Sequence, residues 1–294
     1  MSHATKSAVV VTGVSSGIGA AIAQWLLDEG YTVFGSVRNL TDAENLRQSY
    51  SDAFYPIVFD VRDRSTINAV ASDVQAILEK KDLQLVALVN NAGMALVGPM
   101  ECLDDQGFED TIAVNLFGTR NVTNAFIPLL RQNVDSIENK KKRKEQVIIN
   151  ISSLSGILNT PLNGAYCVSK HAMESIGDIY RRELYNSGID VRSIRSGPIQ
   201  SEIWTKNTIE NTDYENADYT LMSANAQDII KNAVKNALPA SVIAKLVQDM
   251  IEGRKRRVAY ELGDGSRITR LLSSLVPVRL ADRLIAGALL KPRS

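Results

Sequence analysis

The sequence predicts an α/β fold: a single-domain, doubly wound parallel sheet of about seven strands, with helices on both faces and a C-terminal helical extension. Three observations predict it. Short apolar runs alternate with amphipathic helical stretches over most of the chain. The runs are rich in Val and Ile and lack polar alternation, as strands buried on both faces do. Most connections have crossover length, which parallel strands require.

The elements follow in order. Ala8 to Thr12 is the first strand, and Gly13 to Gly19 a glycine-rich turn. Ile18 to Glu29 carries Ile18, Ile22, Trp25 and Leu26 at helical spacing, and Gly30 stops that helix. Thr32 to Val37 is a strand, Asp42 to Ser49 a helix, and Ile57 to Phe59 a strand ending at Asp60. Ser65 to Lys80 is a helix with Ile67, Val70, Val74, Ile77 and Leu78 on one face. Leu85 to Val89 is a strand running into Asn90, Asn91, Ala92 and Gly93. Phe108 to Leu130 reads as one long helix, Val147 to Ile151 as a strand, Gly164 to Asn186 as a helix and Val191 to Ile194 as a sixth strand. Residues 8–197 thus form a core. Pro198 to Asn225 lacks clean periodicity and reads as a loop over a site. Residues 226–294 read as helical, with a turn at Gly263, Asp264 and Gly265.

Bulk properties exclude several functions. The 294 residues are 45% hydrophobic and 22% charged, with 33 basic and 33 acidic residues and a net charge of +0. Nothing there argues for nucleic-acid binding. Two cysteines, Cys102 and Cys167, and two histidines, His3 and His171, suit neither a disulfide framework nor a metal site. The polar start, Met1 to Ser7, lacks a signal-peptide pattern, and no apolar stretch is long enough to span a membrane. A reducing, cytoplasmic setting is the expectation. The basic run from Asn139 to Glu145 reads as a solvated loop.

The turn from Thr12 to Gly19 lies between a strand and a helix. Its small residues let the backbone approach a pyrophosphate, and a helix N-terminus behind it favours anions. Gly13, Ser15, Ser16, Gly17, Ile18 and Gly19 are its candidate cofactor residues. The second strand ends in Val37 and Arg38, where an NAD-binding fold usually carries an acid. A guanidinium grips a 2′-phosphate that a carboxylate would repel. Arg38 therefore favours NADP(H), with NAD(H) the alternative.

Tyr166 and Lys170 stand four residues apart, on one face of a helix. Carbonyl reduction needs a proton donor and alcohol oxidation a base. An ordinary phenol, with a pKa of about 10, is a poor base near neutrality. A neighbouring ammonium and a positive nicotinamide ring both favour the phenolate. Tyr166 is the expected acid/base and Lys170 its electrostatic partner. Ser152 and Ser153 close the fifth strand, Ser153 thirteen positions before Tyr166, and either hydroxyl could support charge on a substrate oxygen. Ser155 is the weaker candidate. Asn115, in an apolar helical stretch, needs hydrogen-bond partners.

Taken in order and spacing, these motifs resemble the short-chain dehydrogenase/reductase superfamily, whose cofactor turn reads Thr-Gly-x-x-x-Gly-x-Gly. The resemblance runs from about residue 8 to residue 203. It is closest to the branch of 17β-hydroxysteroid and retinol dehydrogenase-like enzymes, through Gly30 to Arg38, Gly98 and Pro99, and Val191 to Ile203. It implies a Rossmann-like fold and an alcohol–carbonyl oxidoreductase. It selects Ser153 over Ser152, sets Lys170 on the nicotinamide ribose and gives Asn115 a water relaying protons to Lys170. It assigns Asp60 and Val61 to the adenine, and Asn91, Ala92 and Gly93 to the ribose wall. Pro198, Ile199 and Ser201 fall beside the nicotinamide. Ser196 replaces the proline that the family usually has before Gly197.

Ile199, Ile203, Trp204, Tyr214, Tyr219, Leu221 and Met222 suit a small-molecule lipophilic alcohol or carbonyl substrate. His171 and Cys167 read as packing residues off the catalytic face. Arg270 to Leu290 reads as one or two amphipathic helices interrupted by Pro277. Packing on the core or pocket is the favoured role for Leu271, Leu272, Leu275, Val276, Leu280, Leu284 and Ile285. Membrane contact, aided by Arg254 to Arg257 or the basic loop, is the less favoured one. The resemblance also implies a homodimer or homotetramer built on the helices carrying Asn115 and Tyr166. Two other functions compete: a nicotinamide-dependent epimerase or dehydratase, and a non-catalytic NADP(H) sensor.

Overall fold

The structure, a computed structural model, describes residues 6–132, 146–200, 216–263, 266 and 275–292. One parallel sheet holds seven strands in the order β3-β2-β1-β4-β5-β6-β7. The strands are β1 (Ser7–Val11), β2 (Thr32–Val37), β3 (Phe54–Val58), β4 (Gln84–Asn90), β5 (Gln146–Ser153), β6 (Ile189–Ser196) and β7 (Ala259–Leu262). The helices of the first half are α1 (Gly17–Asp28), α2 (Leu40–Ser49), α3 (Arg64–Lys81), α4 (Asp105–Ile112) and α5 (Thr119–Arg131). Then come α6 (Gly164–Glu183), α7 (Ala217–Lys235), α8 (Ala240–Ile251) and α9 (Val278–Leu289).

Strand pleating divides the apolar residues between two cores. Val9 and Val11 of β1 point to one face, where Ile22 and Leu26 of α1 and Ile243 and Val247 of α8 cover them. Ala8 and Val10 point to the other, which Ile67 and Val74 of α3 and Phe126 of α5 close. Burial on both faces explains why the strands lack polar alternation. Strand order reverses between β1 and β4, and this switch point opens a crevice at the strand C-termini.

Four expectations need correction. The stretch from Phe108 to Leu130 is not one α-helix: a π-helical segment, Ala113–Gly118, separates α4 from α5 and contains Asn115. β3 begins at Phe54 and contains Pro56, which an edge strand tolerates because it leaves one side unpaired. The loop expected over 198–225 becomes helix α7 from Ala217, capped by the Asn216 side chain on the Asp218 N–H. The C-terminal region is not wholly helical, since Ala259–Leu262 adds β7 to β6. Arg195 of β6 anchors that strand, pairing with Glu261 at 3.1 Å and with Glu174 of α6 at 2.7 Å.

α8 folds back on the first helix. Trp25 Nε1 donates to Gln248 Oε1 at 2.9 Å, and Gln248 Nε2 donates to Glu29 Oε2 at 2.8 Å. At the far end, Leu289 of α9 is buried and Ile285 half-buried, while Leu275, Val278, Leu280 and Leu284 are exposed. Core packing therefore holds for one side of α9 only. Leu271, Leu272 and the run 139–145 lie outside the described residues.

Phe126 is fully buried between α5 and the sheet. Phe126→Ala should lower unfolding free energy by about 3–5 kcal/mol, read from guanidinium denaturation at unchanged slope. A loss under about 1 kcal/mol would contradict this packing.

Candidate active site

Main-chain hydrogen bonds shape the glycine turn. The Gly13 N–H donates to the Ser36 carbonyl at 3.1 Å and to Ser36 Oγ at 3.0 Å. Thr12 Oγ1 accepts the N–H groups of Asn91 and Ala92, both at 2.9 Å. Asn91 Nδ2 returns bonds to the carbonyls of Thr12 at 2.8 Å and Gly13 at 3.0 Å. β1, β2 and β4 are thereby tied together beneath the crevice.

Two glycines are obligatory on steric grounds. Gly13 has a φ of 70°, in the left-handed region. A Cβ on Gly19 would lie 2.2 Å from the Gly13 carbonyl oxygen and 2.4 Å from Asn91 Nδ2. Ser16 is the N-cap of α1, its side chain caps nothing, and no acid lies in the first turn. The N–H groups of that turn are left to bind an anion. The residues present fit a dinucleotide pyrophosphate.

Arg38 follows β2, is exposed, and makes no ion pair within 4 Å among the described residues, although its charge reaches Asp60. Asp60 follows β3. Its carboxylate receives the Arg62 guanidinium at 2.7 Å and the Arg62 N–H at 2.9 Å. The Arg62 hydrogen bonds are the main reason that its pKa lies below the usual carboxylate range, and the charges of Arg62 and Arg38 add to the effect. Arg62 also pairs with Asp110 at 3.2 Å. Val61 is buried against Gly118, where a Cβ would come within 2.6 Å of it.

Ser153, the last residue of β5, is buried. Its Oγ donates to the Ser196 carbonyl at 3.3 Å and accepts the Ser155 N–H at 3.1 Å. The half-buried Tyr166, in the first turn of α6, has its hydroxyl bonded to Ser153. Burial pushes the phenol up to about 12, and the Ser153 bond counters that rise in part. One turn on, Lys170 Nζ lies 5.5 Å from the Tyr166 ring centroid and donates to the Ile151 carbonyl at 2.8 Å. Burial drives its pKa down to about 8, against the opposing charge of Glu174. Ser152 is buried too, but its Oγ meets no partner among the described residues, so Ser153 is the hydroxyl aimed at the phenol.

Asn115 spends its side chain elsewhere. Its Oδ1 accepts the Met94 N–H at 2.9 Å, and its Nδ2 donates to the Met94 carbonyl at 2.8 Å and to Ser169 Oγ at 2.9 Å. It makes no direct bond to Lys170. A Cβ placed on Gly93 would lie 3.2 Å from Asn115 Oδ1 and 3.8 Å from Lys170 Nζ, so both groups face the same small space.

At the start of α6 a cavity of about 210 Å³ is lined by Pro99, Met100, Thr160, Pro161, Leu162, Gly164, Tyr219 and Met222. Its walls are almost wholly apolar. The Tyr219 hydroxyl bonds Glu101 across the rim, and that carboxylate raises the phenol's pKa. Leu162 sits at a φ of 65°, unusual for a branched residue, and its carbonyl accepts the Gly98 N–H at 2.8 Å.

The crevice thus gathers Gly13 to Gly19, Asn91 to Gly93, Ser153, Tyr166 and Lys170. Pro198 and Ile199 follow β6, Ile199 bridging to Leu238. Ser201, Ile203, Trp204 and Tyr214 lie outside the described residues. Cys167 is buried, and His171 Nδ1 lies 2.9 Å from its carbonyl oxygen. Sequence reading missed Ser36 and Arg62, which no motif marks, and gave no role to the Thr12 hydroxyl. It also missed Met100 and Leu162, whose only signal was Gly98 and Pro99 nearby.

Comparison with known proteins agrees with this geometry. Residues 7–212 match the family model of the short chain dehydrogenases. The chain is 33% identical over 275 residues to the NADPH-dependent 3-dehydrocapnine reductase of Ornithobacterium rhinotracheale, covering 94% of each. It is 27% identical to human retinol dehydrogenase 5, covering 98% of this chain and 91% of that one. A crystal structure of a short-chain dehydrogenase from Streptomyces avermitilis superposes with a TM-score of 0.72 at 26% identity, covering 90% of both chains. The family model spans most of the chain and the reductase relative matches nearly all of it, and the chain belongs to the short-chain dehydrogenase/reductase family of oxidoreductases.

Proposed function

We propose that this protein interconverts a lipophilic alcohol and its carbonyl with NADP(H), Tyr166 acting as acid/base. The observation that carries this reading is the Tyr166 hydroxyl bonded to Ser153, with the Lys170 ammonium buried one helical turn away.

A bound nicotinamide would supply or accept the hydride. The chain's own groups handle charge and protons. In reduction, the Tyr166 hydroxyl gives its proton to the oxygen that gains charge, and Ser153 Oγ, turning its hydrogen away from the Ser196 carbonyl, donates a hydrogen bond to the same oxygen. Buried and bonded to Ser153, the phenol stands near 12 and resists ionising. The Lys170 charge, raised in effect by the low dielectric around it, favours the phenolate needed for the reverse reaction. Lys170 also has donors left after its bond to Ile151, and these suit a ribose hydroxyl. Asn115 and Gly93 border the space from which a water could resupply the proton.

Arg38 supports a preference for the phosphorylated cofactor, since its guanidinium is exposed at the β2 end with no carboxylate holding it. The Ornithobacterium relative is named as NADPH-dependent, which points the same way. The apolar cavity supports a lipophilic substrate, as do relatives named as retinol dehydrogenases. Exposed Phe117, Val168 and Ile179, on the π segment and α6, support self-association there.

Three measurements test the reading. Tyr166→Phe should keep NADPH affinity in a fluorescence titration and lose about 10²–10⁴-fold in kcat against a carbonyl panel. Full turnover by that variant would remove Tyr166 from the chemistry. Arg38→Asp should weaken NADPH binding about 10- to 100-fold while sparing NADH. Equal weakening of both would show that Arg38 does not read the phosphate. Gly19→Ala should fold, yet bind either nucleotide at least about tenfold more weakly, because its methyl meets the Gly13 carbonyl. Unchanged binding of both would place the pyrophosphate elsewhere.

A further inference from the structure

α9 has two apolar sides but only one packed side. Leu289 and Ile285 turn inward, and the helix packs on α7. Asn225 of α7 holds its end, donating to the carbonyls of Leu289 at 2.8 Å and Lys291 at 2.9 Å. On another side Leu280 and Leu284 lie one turn apart, 48% and 54% exposed. One turn further, nothing lies within 4 Å of where a Cβ on Gly287 would be. Val278 and Leu275, at the entry to the helix, are 75% and 74% exposed. This side is therefore uncovered along the helix.

Charge tells what would cover it. Arg279 and Arg283 form a second row, one residue before each exposed leucine, and neither pairs with a carboxylate among the described residues. The sequence from Ser266 to Ser294 holds six Lys/Arg and one acid, Asp282, in a chain whose net charge is +0. A self-complementary contact between two copies would bring this cationic row against itself. An anionic lipid surface takes both rows at once: leucines enter the acyl boundary while guanidinium groups reach phosphates. No helix among the described residues is long and apolar enough to cross a membrane, so the contact lies in the interface.

We propose that α9 docks this protein on an anionic membrane surface through Leu280, Leu284, Arg279 and Arg283. The docking does not depend on the substrate reading, although it would suit it. α7, to which α9 is tied by Asn225, carries Tyr219 and Met222 into the apolar cavity at the start of α6. A docked α9 would hold that cavity close to the bilayer.

The test uses the full chain, sedimented with sucrose-loaded vesicles of phosphatidylcholine alone or mixed equally with phosphatidylglycerol. Binding to the mixed vesicles should exceed binding to phosphatidylcholine by at least about tenfold and fall as salt rises. Leu280→Asp with Leu284→Asp, and separately Arg279→Glu with Arg283→Glu, should each lose about tenfold or more. Unchanged circular dichroism and thermal unfolding would show that both variants fold. Three results overturn the proposal: no vesicle binding by the parent, equal binding by parent and variants, or absent vesicle binding with a parent dimer that Leu280→Asp and Leu284→Asp render monomeric. The last would assign the face to a second copy of the chain.

Discussion

One buried charge holds the corner of Ser153 and Tyr166 together. Lys170 lies in the interior, where an unpaired ammonium is costly, and its bond to the Ile151 carbonyl at 2.8 Å offsets part of that cost. The bond also fixes the distance between α6 and the end of β5. Two residues beyond Ile151 comes Ser153, and four before Lys170 comes Tyr166. A rigid strand end and a rigid helical turn, joined at this point, leave the phenol little choice but to meet the serine hydroxyl. The same burial draws the ammonium down to about 8, so it still carries its charge near neutrality. Structure and electrostatics share one atom here.

The cofactor side follows a similar logic, with side chains bonded to main chain. Thr12 Oγ1 gathers two N–H groups from the end of β4, and Ser36 Oγ gathers one from Gly13. These bonds satisfy backbone groups where the ladders end, which a crevice between diverging strands would otherwise strand. They also hold β1 and β4 at the separation that lets Gly19 pass against Gly13.

Much of this was legible in the sequence because the signals were local. Strand, turn and helix around Gly13 to Gly19 are contiguous, and Tyr166 and Lys170 lie one helical turn apart. Ser153 stood just past a short apolar run that reads as a strand. What escaped depended on partners distant in the chain. Arg62 matters through Asp60 and Asp110, and Ser36 through Gly13. β7 is four residues long, too short for periodicity, and exists because β6 and Arg195 recruit it. The π segment escaped for another reason. Its apolar spacing is that of an α-helix, and only the Met94 and Ser169 bonds to Asn115, with Gly118 against Val61, reveal the extra residue in the turn.

The apolar cavity is built on different physics. Met100, Leu162, Tyr219 and Met222 come from separate parts of the chain and meet through apolar packing, with Tyr219 and Glu101 joined at the rim. Leu162 holds a left-handed backbone there, a conformation that costs a branched residue about 1–2 kcal/mol and persists because its carbonyl is bonded to Gly98. Apolar packing tolerates exchange of side chains of similar volume far better than a hydrogen-bonded corner tolerates loss of a donor. Substitutions along this wall should therefore leave undisturbed the serine, tyrosine and lysine, whose positions are set from β5 and the first turns of α6. The division between a hydrogen-bonded corner and an apolar cavity follows from where the chain placed its hydrogen bonds.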